Sequence, residues 1–400
     1  MILRARLVAT MDGPVIEDGA VEVQGNRITA VGRWSELRGS NCDRVLDLGE
    51  CVLLPGLINA HCHLDYTCLC GAIPRPHSFT AWIGAINEWK ASLTPDDYIR
   101  SIKAGFDEAA SYGTTSLANF TAFPELAART APAPLRIWWF AEMIDVRAAV
   151  SPAAEYETLR RMSDPLAHFG LAPHAPFTAS VHLYRGAAAF AAEDSLLLST
   201  HLAESRDEMQ MFRDGRGPLF ELMQEIGRPV DDCGRQTPLT LMLQRELLDE
   251  GWIIAHLNEL SVGDFALLTS NPKFQIVHCP RSHAYFGHAP FAFEKLRALG
   301  FAISLGTDSL ASNDNLSLLA ELRHFHNARP SVSPKELLAM VTINPAAALR
   351  QADSLGRIRR GFLADLIAVP NDGDASHALE KIVAFSGKVP WRMIDGVVRA

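Results

Sequence analysis

Through residues 1–54 apolar and polar positions alternate, with turn residues between the runs. In Gly19-Ala20-Val21-Glu22-Val23-Gln24-Gly25-Asn26-Arg27-Ile28-Thr29-Ala30-Val31 a period of two is broken by Gly-Asn, which predicts a hairpin of short antiparallel strands. From residue 55 to 350 the pattern changes to short apolar runs, each followed by a longer stretch of helical period, as in repeated βα units around a parallel sheet. The runs are Val52 to Ile58, Thr115 to Ala118, Leu135 to Ala141, Phe169 to Ala172, Leu196 to Thr200, Trp252 to Ala255, Phe274 to Val277 and Phe301 to Leu305. About eight strands is the number that closes a (β/α) barrel. After Gly361 strand-like segments return, at Ala364 to Val369, Ile382 to Phe385 and Met393 to Val398. The expected architecture is α/β. A (β/α)8 TIM-type catalytic barrel spans residues 55–360, and residues 1–54 plus 361–400 form one discontinuous β-sandwich domain, since chain ends of compact domains lie close together.

A chain of 400 residues with 48% hydrophobic and 21% charged positions can bury a large core. The net charge of −9 is spread without basic runs, so no nucleic acid and no anionic membrane is expected as partner; a small-molecule substrate is. No apolar stretch reaches the roughly 18 residues of a membrane span. Arg4, Arg6 and Asp12 interrupt the N-terminus where a signal peptide would have its apolar core. The chain is expected to be soluble and cytoplasmic. Seven cysteines (Cys42, Cys51, Cys62, Cys68, Cys70, Cys233, Cys279) are odd in number and irregularly spaced, which argues against a disulfide framework and for a reducing compartment. Cys68 and Cys70 lack a second cysteine pair and read as small buried hydrophobes.

The chemistry lies in where the histidines fall. His61 and His63 follow the first barrel run, and a spacing of two sets both on one side of an extended chain. His201, His256 and His278 each follow an apolar run directly, and Asp308 follows Phe301 to Leu305 after the Gly306-Thr307 turn. Every one comes at the C-terminal end of a predicted strand, the active face of such a barrel. A single histidine is more often a structural residue than a ligand; several strand ends repeating one placement are not explained that way. Three imidazoles and a carboxylate suit one divalent ion, zinc first, with iron(II) or manganese(II) as alternatives, leaving a position for water. Glu204 lies three residues after His201, where strand turns towards helix. Alone it reads as a first-turn acid complementing the helix dipole; beside the ligands it reads as a general acid/base.

These residues sit in PGLINAHCHLD (Pro55 to Asp65), HAPFT (His174 to Thr178), HLAES (His201 to Ser205), IIAHLNEL (Ile253 to Leu260), HCPRS (His278 to Ser282), LGTDSLASND (Leu305 to Asp314) and GFLADLIAV (Gly361 to Val369). Over nearly its whole length the sequence thereby resembles the amidohydrolase superfamily. Within it the likeness is to the branch of methylthioadenosine/S-adenosylhomocysteine, aminodeoxyfutalosine, guanine and cytosine deaminases and triazine hydrolases. The resemblance implies a metal held by His61, His63, His201 and Asp308, with Glu204, His256 and Asp308 in catalysis. Substrate contacts are assigned to Trp82, His174, His278 and Ser309. It also implies hydrolysis of a carbon–nitrogen bond, foremost deamination of an aminopurine nucleoside-like or other amino-substituted heterocycle, and a homodimer. No lysine occurs between Lys103 and Lys273, where binuclear relatives need one to bridge two metals.

Ile73 to Thr94 has the length and composition of a lid. The acidic residue that nucleoside-binding relatives carry after the lid tryptophan is not clearly matched; Lys90 or Glu88 falls near it. His283 stands where many adenosine-type members have Asn, and the roles of His283, His288 and Glu142 stay open. An amide or cyclic-urea hydrolase, a triazine-type chlorohydrolase and a non-catalytic binding relative remain the competing readings.

Overall fold

The N-terminal alternation becomes strands β1 (Ile2–Val8), β2 (Ile16–Gln24), β3 (Arg27–Arg33), β4 (Val45–Asp47) and β5 (Cys51–Pro55) in a computed structural model. The structure describes residues 1–39, 44–271 and 273–399. The predicted hairpin is β2–β3, turning at Gly25 with φ of 58°. The barrel strands are β6 (Leu57–Cys62), β7 (Thr114–Thr121), β8 (Arg136–Met143), β9 (Ala167–Pro173), β10 (Leu197–Leu202), β11 (Trp252–His256), β12 (Gln275–His278) and β13 (Ile303–Leu305). They pair in sequence order, all parallel. The ring closes where Thr307 and Asp308 donate their backbone N–H groups to the His61 carbonyl, both at 3.1 Å. Both faces of such strands are covered, so they read as continuous apolar runs. All six residues of β6 and all eight of β7 are buried.

The chain ends with β14 (Leu366–Pro370), β15 (Trp391–Ile394) and β16 (Val397–Arg399). β14 pairs antiparallel with β5, which joins the C-terminal strands to the N-terminal ones. The expected sandwich is a single hydrogen-bonded mixed sheet, branched at β1, which pairs with β2, β4 and β5. It carries its own apolar cluster, including Leu3, Val21, Leu53, Phe362 and Leu366.

Four local expectations are corrected. Val52 to Ile58 is two strands: it breaks after Pro55, and Gly56 sits so close to Thr115 that a Cβ would lie 2.1 Å from the threonine oxygen. Ile382 to Phe385 is not a strand; Ile382 to Ala384 end the helix Ala378–Ala384, which buries Ala378, Ile382 and Val383 at helical spacing, and Phe385 is its extended C-cap. Met393 to Val398 is a hairpin, because Asp395-Gly396 takes positive φ at both positions, 52° and 75°, as a type I′ turn requires. The six described cysteines are unpaired, and Cys68 and Cys70 are exposed rather than buried, while Cys42 lies outside the described residues.

Arg136, the first residue of β8, ties the barrel to the terminal sheet. Its Nε donates to Asp365 at 3.0 Å and its Nη2 to Asp395 at 3.0 Å, with the Asp365 side chain 2% exposed. Arg136→Met leaves that carboxylate buried without its countercharge. Chemical denaturation should show a loss of about 3–5 kcal/mol; a loss below about 1 kcal/mol would mean the clamp is solvated.

Candidate metal centre and active site

The pairing of β6 with β7 advances three residues on one strand, Asn59 to Cys62, against two on the other, Leu117 to Asn119. This bulge falls on the His-x-His segment, and such an extra residue re-aims a side chain. His61 Nε2 lies 3.2 Å from His63 Nε2, which lies 3.3 Å from His201 Nε2. The His201 ring has its other nitrogen, Nδ1, 2.9 Å from the His174 carbonyl, an acceptor only; Nδ1 therefore carries the proton and Nε2 presents a lone pair. Two donors about 2.1 Å from one zinc at the tetrahedral angle are about 3.4 Å apart, which matches these spacings. The convergence of neutral imidazole nitrogens on one point thus fits a cation between them. Burial, followed by the neighbouring histidines, holds the His61 imidazole well below its usual pKa. Burial and His201 bring His63 to about 3, against the pull of Asp308.

Asp308 Oδ1 faces the same point, 3.9 Å from both His61 Nε2 and His63 Nε2. Its Oδ2 accepts from the Ser282 hydroxyl at 2.6 Å, and the Ser309 N–H donates to Oδ1 at 2.8 Å. Burial works to raise this carboxyl, but His256, His63 and the Ser282 hydroxyl outweigh it and hold it below the usual range. Gly306 precedes this turn because a Cβ there would stand 2.6 Å from the His61 carbonyl oxygen. Four non-glycine residues at these strand ends take left-handed backbone: Ala203, His256, Leu257 and Asp308, with φ of 50° to 74°. Such strain persists where the surroundings over-determine it, and it concentrates at functional sites.

Across from the imidazoles, Glu204 Oε1 lies 3.7 Å from His256 Nε2. Ligand-type atoms of Glu204, His256 and Asp308 fall within 4.8 Å of one another, as do those of His61, His63 and His201. Burial above all, then Asp308, Glu208 and Glu142, pushes the Glu204 carboxyl well above its usual pKa, while burial brings His256 to about 3. Two residues that sequence reasoning passed over hold the Glu204 backbone. The fully buried Glu208 accepts the N–H groups of Ala203 at 3.1 Å and Glu204 at 2.7 Å, and Asn258 donates its side-chain amide to the Glu204 carbonyl at 3.0 Å. The available signal was Ser205-x-x-Glu208, the spacing of a capping box; here the glutamate reaches past the cap into the catalytic turn.

His63, His201, Glu204, His256 and Asp308 line one cavity of about 980 Å³, together with Trp82, His174, Glu142 and Ser309, and His61 lies behind them, fully buried. Trp82 belongs to the helix Phe79–Ser92 within the expected lid segment and packs edge-on against Phe286 at 5.2 Å. His174 donates to or accepts from the Thr178 hydroxyl at 2.6 Å. His278 does not line the cavity: its ring stacks on Phe291 at 4.0 Å and is 3% exposed, so its assignment as a substrate contact is corrected. The strand end places it correctly, but its side chain is turned behind the wall. Glu142 Oε1 is buried without a hydrogen bond, 3.8 Å from His63 Nδ1 and 4.0 Å from His201 Nδ1.

The profile of the amidohydrolase family matches residues 52–398. A 5-methylthioadenosine/S-adenosylhomocysteine deaminase of Pyrococcus furiosus is 29% identical over 373 residues, covering 89% of this chain and 81% of the relative. An aminodeoxyfutalosine deaminase of Deinococcus radiodurans is 28% identical over 359 residues, covering 84% and 82%. Among solved structures, aminofutalosine deaminase of Helicobacter pylori, in complex with methylthio-coformycin, superimposes with a TM-score of 0.89 over the whole of both chains at 21% identity, a likeness of fold. By this match over most of its length, the chain is a member of the amidohydrolase family.

Proposed function

We propose that the protein is a zinc-dependent hydrolase that deaminates an amino-substituted heterocycle, adenosine-like in its reacting ring. The observation that carries this is the meeting, beside one cavity, of three imidazole nitrogens at metal-ligand spacing with the Glu204–His256–Asp308 cluster. The curated relatives, named as deaminases of adenosine-type compounds, support it over nearly the full chain. His61, His63, His201 and Asp308 would hold the ion. Bound there, zinc supplies a Lewis acid that brings the pKa of water to about 7 and so makes a nucleophile near neutral pH. Glu204 takes the water proton and delivers it to the ring nitrogen beside the attacked carbon. His256 and Asp308 orient the oxygen; the proton of the newly bound hydroxyl then passes to the amino group as the C–N bond breaks, so that the ring carbon becomes a carbonyl and ammonia leaves. Trp82, His174 and Ser309 lie where they can position the ring. A cytoplasmic homodimer is carried with this reading, the compartment on cysteine usage and the dimer on family resemblance.

The test is ammonia release by zinc-loaded protein from aminopurine nucleosides, aminodeoxyfutalosine, guanine, cytosine and aminotriazines. Release from one of them establishes the deaminase. Silence from metal-replete protein moves the reading to amide, cyclic-urea or halide substrates.

A further inference from the structure

We propose that Glu142 is a positioning residue of the metal centre: its Oε1 accepts a hydrogen bond from His63 Nδ1–H and so holds that imidazole with its Nε2 lone pair towards the ion. This rests on the metal-centre part of the reading above and not on the substrate. Glu142 is the penultimate residue of β8, and alternate residues of a strand share a face. Trp138 and Phe140 precede it on that face and belong to the apolar cluster inside the barrel, with Ile58, Ala60 and Phe120. Glu142 therefore tops an inward-facing column, and its side chain, 7% exposed, reaches the wall of the cavity.

Two buried groups there lack partners and face each other. An imidazole that turns its Nε2 lone pair to an ion carries its proton on Nδ1. For His201 that proton has an acceptor, the His174 carbonyl at 2.9 Å. His63 Nδ1 is buried with none, and Glu142 Oε1, buried and likewise without a hydrogen bond, lies 3.8 Å away. Among the described residues no lysine or arginine comes within 4.0 Å of Glu142, and Lys90 bears on it only at longer range. A buried N–H without an acceptor and a buried carboxylate without a donor each destabilise the fold, so each is explained only by what the other does. The gap exceeds a charge-assisted hydrogen bond, about 2.8 Å, by about 1 Å, which a small side-chain rotation closes. A cation on Nε2 makes Nδ1–H the stronger donor and brings the positive charge that the carboxylate lacks. The competing acceptor is the Phe120 carbonyl, which also bears on the His63 ring but carries no charge.

The test pairs zinc affinity, by chelator competition, with the thermal stability of the metal-free full-length protein, in Glu142→Leu and Glu142→Gln. The leucine variant should bind zinc about 10- to 100-fold more weakly. Its metal-free form should keep an equal or higher Tm, because a buried carboxylate without a partner has been replaced by an apolar group. Glutamine retains an oxygen that accepts from Nδ1–H and should recover most of the affinity. With cobalt(II) in place of zinc, the visible ligand-field bands should shift in the leucine protein, as the His63 ring turns, and stay in the glutamine protein. Unchanged zinc affinity in Glu142→Leu assigns the proton to Phe120 and overturns the proposal, as does a raised KM alone, which makes Glu142 a substrate contact. A lower metal-free Tm or failure to fold makes its role structural, and complete loss of zinc in both variants makes it a ligand; either result overturns the proposal too. Weakened zinc in Glu142→Leu, with no compound deaminated by the unaltered protein, leaves the assignment standing and sinks the deaminase reading; unchanged zinc affinity in a working deaminase does the reverse.

Discussion

Glu204→Gln is expected to retain zinc at the level of the unaltered protein while its ammonia release falls by about 10²–10⁴-fold. Glutamine keeps the size and the backbone bracket of Glu208 and Asn258, so the turn after β10 and the imidazoles beyond it should not move. What it lacks is a group that can be deprotonated and reprotonated in one cycle. The carboxyl is held at the point of need: its side chain is 9% exposed, 3.7 Å from His256, and on the wall of the cavity the ligands line. Metal analysis and turnover on one preparation decide the matter. Turnover within a few-fold of normal removes Glu204 from the proton path, and loss of zinc together with activity makes it a ligand instead.

Much of this site was legible because parallel barrel strands are covered on both faces and therefore announce themselves as apolar runs. Once the runs were placed, a histidine or aspartate at the ends of several of them was a statement about one face of the barrel, and His61, His63, His201, His256 and Asp308 do meet there. The same reasoning failed at His278, since a strand end fixes a residue's height on the barrel but not whether its side chain turns into the cavity or, as here, onto Phe291. The choice between Glu88 and Lys90 could not be made for a related cause: which face of the lid helix meets the cavity depends on the packing of Phe79 and Trp82 against Phe286, a long-range contact.

The errors in the small sheet have local explanations. Val52 to Ile58 is apolar throughout, and apolarity does not say that β5 belongs to one sheet and β6 to another. The segment Ala378–Ala384 is short enough that Ile382, Val383 and Phe385 suit a strand or a helix equally. Its burial against the helices Leu318–Ala328 and Pro334–Ala339 decides for the helix. Asp395-Gly396, by contrast, is a strong hairpin signal that was available in the sequence.

His61→Ala should lose zinc and turnover together, the opposite pattern to Glu204→Gln. Removing even an outer partner of a ligand costs a site about 10- to 100-fold in metal affinity, and His61 is assigned to the inner set, so a loss beyond 100-fold is expected. The imidazole is 0% exposed and packs at 4.4 Å from Phe120, so its removal leaves a hole inside the site. A readout independent of any substrate exists. Zinc at about 1,000 times its Kd stabilises a folded site by about 4 kcal/mol, so adding it to the metal-free protein should raise Tm, and in His61→Ala that rise should vanish. A zinc-dependent rise of equal size in His61→Ala would place the ion elsewhere, the neighbouring Glu142, His174 and His201 being the next group whose ligand atoms lie close enough to hold it.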